Sequence, residues 1–203
     1  MIFAHRISDD TELRLLAPCY AEEQFALIEA NRDYLQPWLG WVDEMCSVED
    51  ATAYSKTTLD EYAQGESLVV GIWQHGRLAG NVGLDNINTF VGSAEIWYWL
   101  GVEFEGRGLV TNACRAIIAH AFEVMELNRV QIRVEHRNAR SRAIPQRLGF
   151  RHEGTLRQVE RLRDTYVDLE VYALLRDEWV GEPFRVHGRL TSRPYGCMRY
   201  VVL

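Results

Sequence analysis

Residues 95–111 read EIWYWLGVEFEGRGLVT, and the apolar residues of 110–125 then recur at helical spacing. The first six residues are rich in Trp, Tyr and Ile, which favour a β-strand. The change of period across two glycines predicts a strand, a turn and a helix in that order. The first N–H groups of a helix have no partner within the helix, so the start of this helix is a candidate anion site. Gly106 and Gly108 allow the backbone to approach such an anion closely.

The rest of the chain extends this pattern in both directions. On the N-terminal side we predict a strand at 11–16, a helix from Pro18 to about Asn31, a helix opened by Ser47, and strands at 67–73, 78–84 and 94–102. On the C-terminal side we predict a strand at 129–135, a short helix at 141–148, and strands at 152–160 and 166–175. This order predicts a mixed α/β fold whose sheet is largely antiparallel, with parallel neighbours near the central helix.

Length and charge narrow the class of protein. The 203 residues are 47% hydrophobic, which suits one packed core and is short for two. The formal net charge of −7 argues against direct nucleic-acid binding, because phosphate backbones require a positive surface field. The arginine-rich stretch 129–163 is an exception, and it predicts a local basic patch suited equally to a small anion or to RNA.

Cysteine spacing and the absence of long apolar stretches indicate the compartment. Cys19, Cys46, Cys114 and Cys197 form no C-x-x-C pair and no metal-ligand spacing with histidine, so we expect free thiols and no metal. The N-terminus has no apolar signal core, and no stretch reaches about eighteen apolar residues. We therefore expect a cytoplasmic protein with no membrane partner.

The loop by itself has a plain alternative, an ordinary strand-to-helix turn that contains two glycines. Two nucleotide-binding motifs fit it poorly. A Walker A loop ends in Gly-Lys-Ser/Thr, and this loop has no lysine. A dinucleotide fingerprint requires a third glycine where this chain has Thr111, and its ribose-binding acid would be Glu135, in an antiparallel context.

Several blocks in one order are more specific than the loop. They are EIWYWL at 95–100, EGRGLVTNA at 105–113, LNRV at 127–130, NARSRAIPQRLGF at 138–150, NRDYLQPWL at 31–39 and YVD at 166–168. Together they resemble the GCN5-related N-acetyltransferase (GNAT) superfamily, and more narrowly its RimJ/RimL-like branch, which acetylates N-terminal residues of ribosomal proteins. The resemblance covers about residues 11–179. It implies a single GNAT domain at 1–179 with a splayed sheet and about four helices, followed by an extension of unassigned structure at 180–203.

The resemblance also implies acetyl transfer from acetyl-CoA to a primary amine, most directly a protein N-terminal α-amine, in a ternary complex. The family's pyrophosphate motif is Gln/Arg-x-x-Gly-x-Gly/Ala, whereas this chain reads Glu105-x-x-Gly108-x-Val110. Only the middle glycine matches, so we expect main-chain N–H groups to provide most of the binding. In the family the thioester lies where the sheet splays. The coenzyme contacts implied here are Leu100, Val102, Gly106, Arg107, Gly108, Leu109, Val110, Thr111, Asn138, Arg140 and Arg142.

Three residues are candidates for the chemistry. Ser141 matches the hydroxyl that protonates the leaving thiolate in RimL-like enzymes, and the alternative is that it only caps a helix. Glu95 and Glu135 border the expected splay and are candidates for the base, with plain surface carboxylates as the alternative. A modest base is sufficient, because an α-amino group has a pKa of about 7.7–8.0.

The acceptor is the least determined part of the prediction. We expect Trp38, Trp41, Trp97 and Trp99 to line its groove, although large aromatics also serve as core residues. An amino acid, a polyamine or an aminoacyl nucleotide is an alternative to a protein N-terminus. A non-catalytic acyl-CoA-binding module and a nucleotide-dependent oxidoreductase are alternatives to the acetyltransferase. A terminal strand at 195–202 would allow a homodimer by pairing with another subunit's edge.

Overall fold

A computed structural model of the protein describes residues 4–181. Within them, eight strands lie at β1 Ala4–Arg6, β2 Thr11–Leu15, β3 Leu68–Gln74, β4 Arg77–Asn88, β5 Ser93–Leu100, β6 Arg129–Glu135, β7 Arg151–Leu162 and β8 Thr165–Leu175. Five α-helices lie at α1 Ala21–Ala30, α2 Arg32–Leu35, α3 Val48–Gln64, α4 Leu109–Ala119 and α5 Ala139–Arg147. The strands form one sheet in the order β1-β2-β3-β4-β5-β6-β8-β7. The predicted mixed α/β class is confirmed.

The sheet is antiparallel except at one junction. Strands β5 and β6 are parallel, and they pair over only three residues, from Ser93 with Arg129 to Glu95 with Gln131. Beyond that point the two strands separate. Strand β5 stays paired with β4 up to Leu100, and β6 stays paired with β8 to its end. A gap therefore opens in the middle of the sheet, which is the splay that the resemblance implies.

Helices cover both faces of this sheet. Every residue of β3 is buried, as expected for a central strand covered on both sides. Helices α1 and α3 contact each other and also β4 and β3, respectively, while α4 contacts β4 and β5, and α5 contacts β6 and β8. Successive residues of a strand point to opposite faces. Tyr98 of β5 accordingly reaches Ser141 of α5, whereas Trp99 contacts Trp41 in the segment between α2 and α3.

Local signals explain the ends of several elements. Ser47 caps α3 by accepting a hydrogen bond from the Asp50 N–H at 3.2 Å, as the sequence predicts. Gly65 ends the same helix with a φ of 76°, a conformation that glycine adopts without steric cost. Asn31 separates α1 from α2, so the described chain has one short helix more than the four expected. Strand β6 has the predicted bounds.

Other predictions differ from the structure. The sequence does not predict β1, and the helix predicted at 110–125 is α-helical only to Ala119, after which a π-helical turn spans His120–Val124. Cys46 and Cys114 are free thiols, but Cys19 is disulfide-bonded, so the prediction of free thiols is wrong for Cys19. The strand expected at 195–202 lies outside the described residues.

A buried carboxylate joins the last strands of the sheet. Glu170 of β8 is 3% exposed and accepts hydrogen bonds from His136 Nδ1 at 2.5 Å, from His152 Nε2, and from Thr155 Oγ1 at 3.0 Å. The hydrogen bond with His136 is the main cause that lowers the pKa of Glu170 from 4.5 to about 2. The ionised form of Glu170 is therefore the one that stabilises the fold.

Replacing this carboxylate tests that account. Glu170→Gln should lower the free energy of unfolding near neutral pH by about 1–3 kcal/mol, because it removes charge-assisted hydrogen bonds to a buried group. The pKa of Glu170 is lower in the folded chain than in the unfolded chain, so its contribution is complete above pH 4.5 and is lost as the pH falls towards 2. Urea unfolding at a series of pH values measures the difference in stability between wild type and variant.

The difference should narrow between pH 4.5 and pH 2. Glu160→Gln is the matched control, because Glu160 is an exposed carboxylate of the neighbouring strand β7. A difference for Glu170→Gln that stays constant across this pH range would contradict the prediction.

Candidate functional site

The gap between β5 and β6 exposes main-chain groups of β5. The Gly101 N–H donates to the Ala79 carbonyl of β4 at 2.8 Å. Alternate residues of an antiparallel strand bond to the same neighbour, so the residues between them face the other way. By this register the main-chain groups of Tyr98 and Leu100 face β6, at the level where β6 no longer pairs with β5. The Leu100 N–H is therefore directed into the gap.

Val102 is the other coenzyme contact implied at this position, and the structure gives its N–H another partner. It donates to Asn31 Oδ1 at 2.8 Å. Asn31 is 3% exposed and is held in turn by donation from its Nδ2 to the Leu27 carbonyl at 2.9 Å. The sequence analysis missed Asn31, because a polar residue at the end of a helix looks like an ordinary boundary. The side chain of Val102 is 49% exposed.

The loop at residues 105–111 forms an anion cradle from its main chain. Gly106 and Gly108 have φ values of 74° and 73°, and a Cβ at either position would meet no atom closer than 3.9 Å. These glycines are therefore required by backbone conformation and not by space. Within the described chain, the N–H groups of residues 106–111 donate to no protein acceptor; the flanking N–H groups of Glu105 and Asn112 bond to Val102 and Gly108. Six free N–H groups at a helix start favour a phosphate-sized anion.

The side chains of this loop point elsewhere. Arg107 donates to Gln74 Oε1 and to the Glu103 carbonyl, both at 2.8 Å, and its guanidinium lies 5.7 Å from the centre of the Phe104 ring. It therefore anchors the loop to the end of β3, and it offers the cradle its main-chain N–H. The remaining residues, Leu109, Val110 and Thr111, are buried or half-buried in the first turn of α4.

The start of α5 faces the gap from the other side. Asn138 caps this helix by accepting from the Ser141 N–H at 3.0 Å, so the alternative that Ser141 is the cap is wrong. Ser141 Oγ instead donates to Tyr98 Oη at 3.2 Å, and Tyr98 Oη donates to the Ser141 carbonyl at 3.0 Å. Burial raises the pKa of Tyr98 well above its usual range, so this phenol stays protonated. The sequence analysis missed Tyr98, which reads as a strand residue among aromatics.

The two candidate bases lie at opposite ends of the gap. Glu95 sits where β5 and β6 still pair, and it accepts from Arg133 Nε at 2.7 Å and Gln131 Nε2 at 3.2 Å. Glu95 is paired with Gln131 of β6, and Glu135 lies four residues beyond Gln131 on that strand, or about 13 Å at the usual strand rise. It is 8% exposed and accepts from the N–H and the Nε of Arg137 at 2.7 and 2.6 Å. Only Glu135 is close to the start of α5.

The structure brings two of the four tryptophans together. Trp41 and Trp99 have ring centroids 6.0 Å apart, and Trp99 is 4% exposed. Trp97 fills the space above Gly83, where a Cβ would lie 2.7 Å from its ring. Trp38 is half-buried in the segment after α2.

The segment that carries Trp38 and Trp41 is tied to the tip of the β7–β8 hairpin. Asp43 in this segment pairs with Arg163 at 3.2 Å. The segment and the hairpin tip therefore lie in contact with each other.

The arginine-rich stretch is not the free basic patch that its sequence predicts. Most of its arginines are paired with carboxylates, as in Arg129–Glu153, Arg133–Glu95, Arg137–Glu135, Arg140–Glu105 and Arg163–Asp43. Arg140 lies beside the loop, with its NH1 at 2.8 and 3.1 Å from the two oxygens of Glu105. Arg142 turns towards β8, where it donates to Tyr172 Oη at 3.4 Å and to the His136 carbonyl at 3.0 Å.

Residues 4–181 contain neither a cluster of metal-ligating side chains nor a membrane-spanning helix. No three His, Cys, Asp or Glu side chains are grouped so as to hold a metal ion. In the same part of the chain, no helix has the length and apolar character needed to span a membrane.

Comparison with known proteins gives matches over most of the chain. Residues 12–151 match the family model described as "Acetyltransferase (GNAT) domain". The YdaF protein of Bacillus subtilis is 37% identical over 185 residues, which cover 89% of this chain and 100% of YdaF. The ribosomal-protein-serine acetyltransferase of Escherichia coli is 30% identical over 172 residues, which cover 85% of this chain and 96% of that enzyme.

Solved structures agree with these matches. RimL, a ribosomal L7/L12 α-N-protein acetyltransferase in complex with coenzyme A, has a TM-score of 0.83 at 25% identity, covering 87% of this chain and 99% of RimL. The microcin C7 self-immunity acetyltransferase MccE, in complex with acetyl-CoA and AMP, has a TM-score of 0.81 at 28% identity, covering 83% and 94%. Because the family model spans more than half of the chain and both relatives align over nearly their whole length, this chain belongs to the GNAT family and is an N-acetyltransferase.

Proposed function

We propose that this enzyme transfers the acetyl group of acetyl-CoA to a protein N-terminal α-amine by direct attack in a ternary complex. The observation that carries the proposal is the row of six free N–H groups at residues 106–111 beside a gap that contains the Ser141 hydroxyl. A polyanionic carrier held at the loop would place its thioester end in the gap. Both solved neighbours described above contain coenzyme A or acetyl-CoA.

The coenzyme would be held mainly by main-chain groups. The N–H groups of loop residues 106–111 would bind the pyrophosphate, aided by the dipole of α4. Leu100 would donate its N–H to the thioester carbonyl, and Val102 would contribute only its exposed side chain, because its N–H is bound to Asn31. The side chains of Asn138 and Arg140, at the start of α5, would border the coenzyme path, whereas Arg142 turns towards β8.

The chemistry follows from groups that face the gap. The amine nitrogen attacks the thioester carbon, and the Leu100 N–H stabilises the oxyanion of the tetrahedral intermediate. The amine's proton passes through water to Glu135, which is nearer to α5 than Glu95 is. The C–S bond then breaks, and the thiolate takes the proton of Ser141 Oγ. The proton held by Glu135 returns through water to Ser141 Oγ, so the net transfer is from the amine to the thiol. Tyr98 Oη can turn from the Ser141 carbonyl to Ser141 Oγ, since it lies 3.0 and 3.2 Å from them.

The acceptor is inferred from the relatives. The Escherichia coli relative acts on a ribosomal-protein serine, and RimL acts on an N-terminus of L7/L12. A peptide N-terminus would approach the gap past the Trp38–Trp41 segment and the β7–β8 hairpin, which contact each other through Asp43 and Arg163. A second candidate is an aminoacyl nucleotide, which the AMP bound by MccE favours. The half-buried rings of Trp38 and Trp41 would be suited to stacking on a base.

An acceptor survey tests the proposal. Purified enzyme should release free thiol from acetyl-CoA with peptides that begin with Ser, and mass spectrometry should place the acetyl group on the α-amine. At pH 7 an α-amine is partly neutral, whereas a lysine amine with a pKa of about 10.4 is almost fully protonated. The same peptides with a blocked N-terminus and an internal lysine are the matched control.

Three outcomes of the survey would count against the proposal. Transfer to the lysine control, transfer only to aminoacyl nucleotides or other small amines, and tight coenzyme binding without any transfer would each do so. The last result would favour the non-catalytic alternative.

A double-mutant cycle tests the leaving-group step. Ser141→Ala should lower kcat by about 10–100-fold. This factor is at or below the lower limit usual for acid catalysis, because a thiol with a pKa of about 8.5 leaves readily. Tyr98→Phe should lower kcat by a smaller factor, and the double variant should be no slower than Ser141→Ala, because Tyr98 acts through Ser141. Steady-state kinetics, with coenzyme A affinity measured in parallel, provide these values.

The affinity for coenzyme A should be nearly unchanged in all three variants. Tyr62→Phe on α3 is the control for loss of a phenol, since α3 packs on β3 and α1, away from the gap. Multiplicative losses in the double variant would show that Tyr98 and Ser141 act independently.

A further inference from the structure

A carboxylate lies at the edge of the anion cradle. Glu105 immediately precedes the six free N–H groups of residues 106–111, and its side chain is 30% exposed. An anion bound by those N–H groups would lie within a few residues of this negative charge. Like charges at such distances repel each other, and the low dielectric of a half-buried site strengthens the repulsion. An unpaired Glu105 would therefore oppose the binding that the cradle favours.

Arg140 neutralises this carboxylate from across the gap. Its NH1 lies 2.8 and 3.1 Å from the two oxygens of Glu105. Glu105 follows β5 and Arg140 follows β6, so the ion pair joins the two strands beyond the point where they part. The Tyr34 hydroxyl of α2 also donates to Glu105 Oε1 and fixes the carboxylate. The guanidinium is 74% exposed, so it remains accessible to a ligand.

Two other arginines of the loop and of α5 are bound to groups away from Glu105. Arg107 is bound to Gln74 and to the Glu103 carbonyl. Arg142 is bound to Tyr172 and the His136 carbonyl, on the side of β8. Arg140 is therefore the cation that the fold places against Glu105 in the described part of the chain.

We infer that Arg140 is a positioning residue for coenzyme binding, which masks the charge of Glu105 so that the main-chain cradle can hold the phosphates of coenzyme A. This inference rests on the proposed function. It predicts that the loss of coenzyme A affinity on removing Arg140 is caused by the unpaired charge of Glu105. Removal of Arg140 alone leaves an unpaired carboxylate beside the bound phosphates, whereas removal of both charges leaves a neutral loop.

Four variants separate this role from its alternatives. They are Arg140→Met, Glu105→Gln, the double variant, and Arg147→Met as a matched control on the same helix, where Arg147 is exposed. Methionine keeps most of the apolar stem of arginine and removes its charge. Calorimetry of the full chain with coenzyme A, at low and at moderate ionic strength, gives the dissociation constants. Thermal unfolding of each variant confirms that the fold is retained.

Arg140→Met should raise the dissociation constant about tenfold or more, and the factor should shrink as salt screens the exposed charge. Adding Glu105→Gln should recover the affinity to within about threefold of wild type, while Glu105→Gln alone should bind as tightly as wild type or more tightly. Arg147→Met should match wild type.

Two results would overturn the inference. One is an Arg140→Met variant that binds within about twofold of wild type. The other is a double variant as weak as Arg140→Met, which would mean that Arg140 acts only by touching the phosphates. A wild-type chain that does not bind coenzyme A at all would instead defeat the proposed function, and this inference would fall with it.

Discussion

The rest of the site depends on the separation of β5 from β6. Two parallel strands begin as neighbours and share only three paired residues, yet each keeps its place because its outer partner continues, β4 for β5 and β8 for β6. The strands can therefore part without unravelling the sheet. Their inner edges are left with main-chain groups that need partners, since buried unpaired N–H and C=O groups are costly. A gap of this kind is stable when water, a ligand or bridging side chains occupy it.

The gap also determines which segments lie close together where β5 and β6 end. Because β5 and β6 run parallel, the segments that follow them leave the sheet at the same edge. These segments are loop 105–111 with α4, and the turn that leads into α5. Two contacts cross between them, Tyr98 with Ser141 and Glu105 with Arg140. The free N–H groups of the loop and the Ser141 hydroxyl are thereby brought together by topology, although they are some 30 residues apart in sequence.

Sequence reasoning was most successful where the signal is local. The glycine turn, the Ser47 cap and the bounds of β6 each depend on residues within a few positions of one another, and the structure agrees with them. The blocks that resemble the GNAT family supplied the fold and the site of the splay, which periodicity alone could not. The role of Tyr98 was missed, because it depends on a contact across 43 residues. The ion pair of Glu105, across 35 residues, carries no local signal either.

The pairing of charged side chains also depends on contacts between residues that are distant in sequence. Counting residues gives a net charge of −7 and an arginine-rich stretch, and these predict a basic patch for an anionic ligand. In the folded chain most of those arginines are paired with carboxylates, so few of them remain free to bind an anionic ligand. The attraction of helix N–H groups for an anion does not require a positive net charge or free cationic side chains, because the partial charges of these groups are fixed by the backbone. An acidic protein can therefore bind a polyanion, provided that the one carboxylate beside the cradle is neutralised, and the structure places Arg140 where it does this.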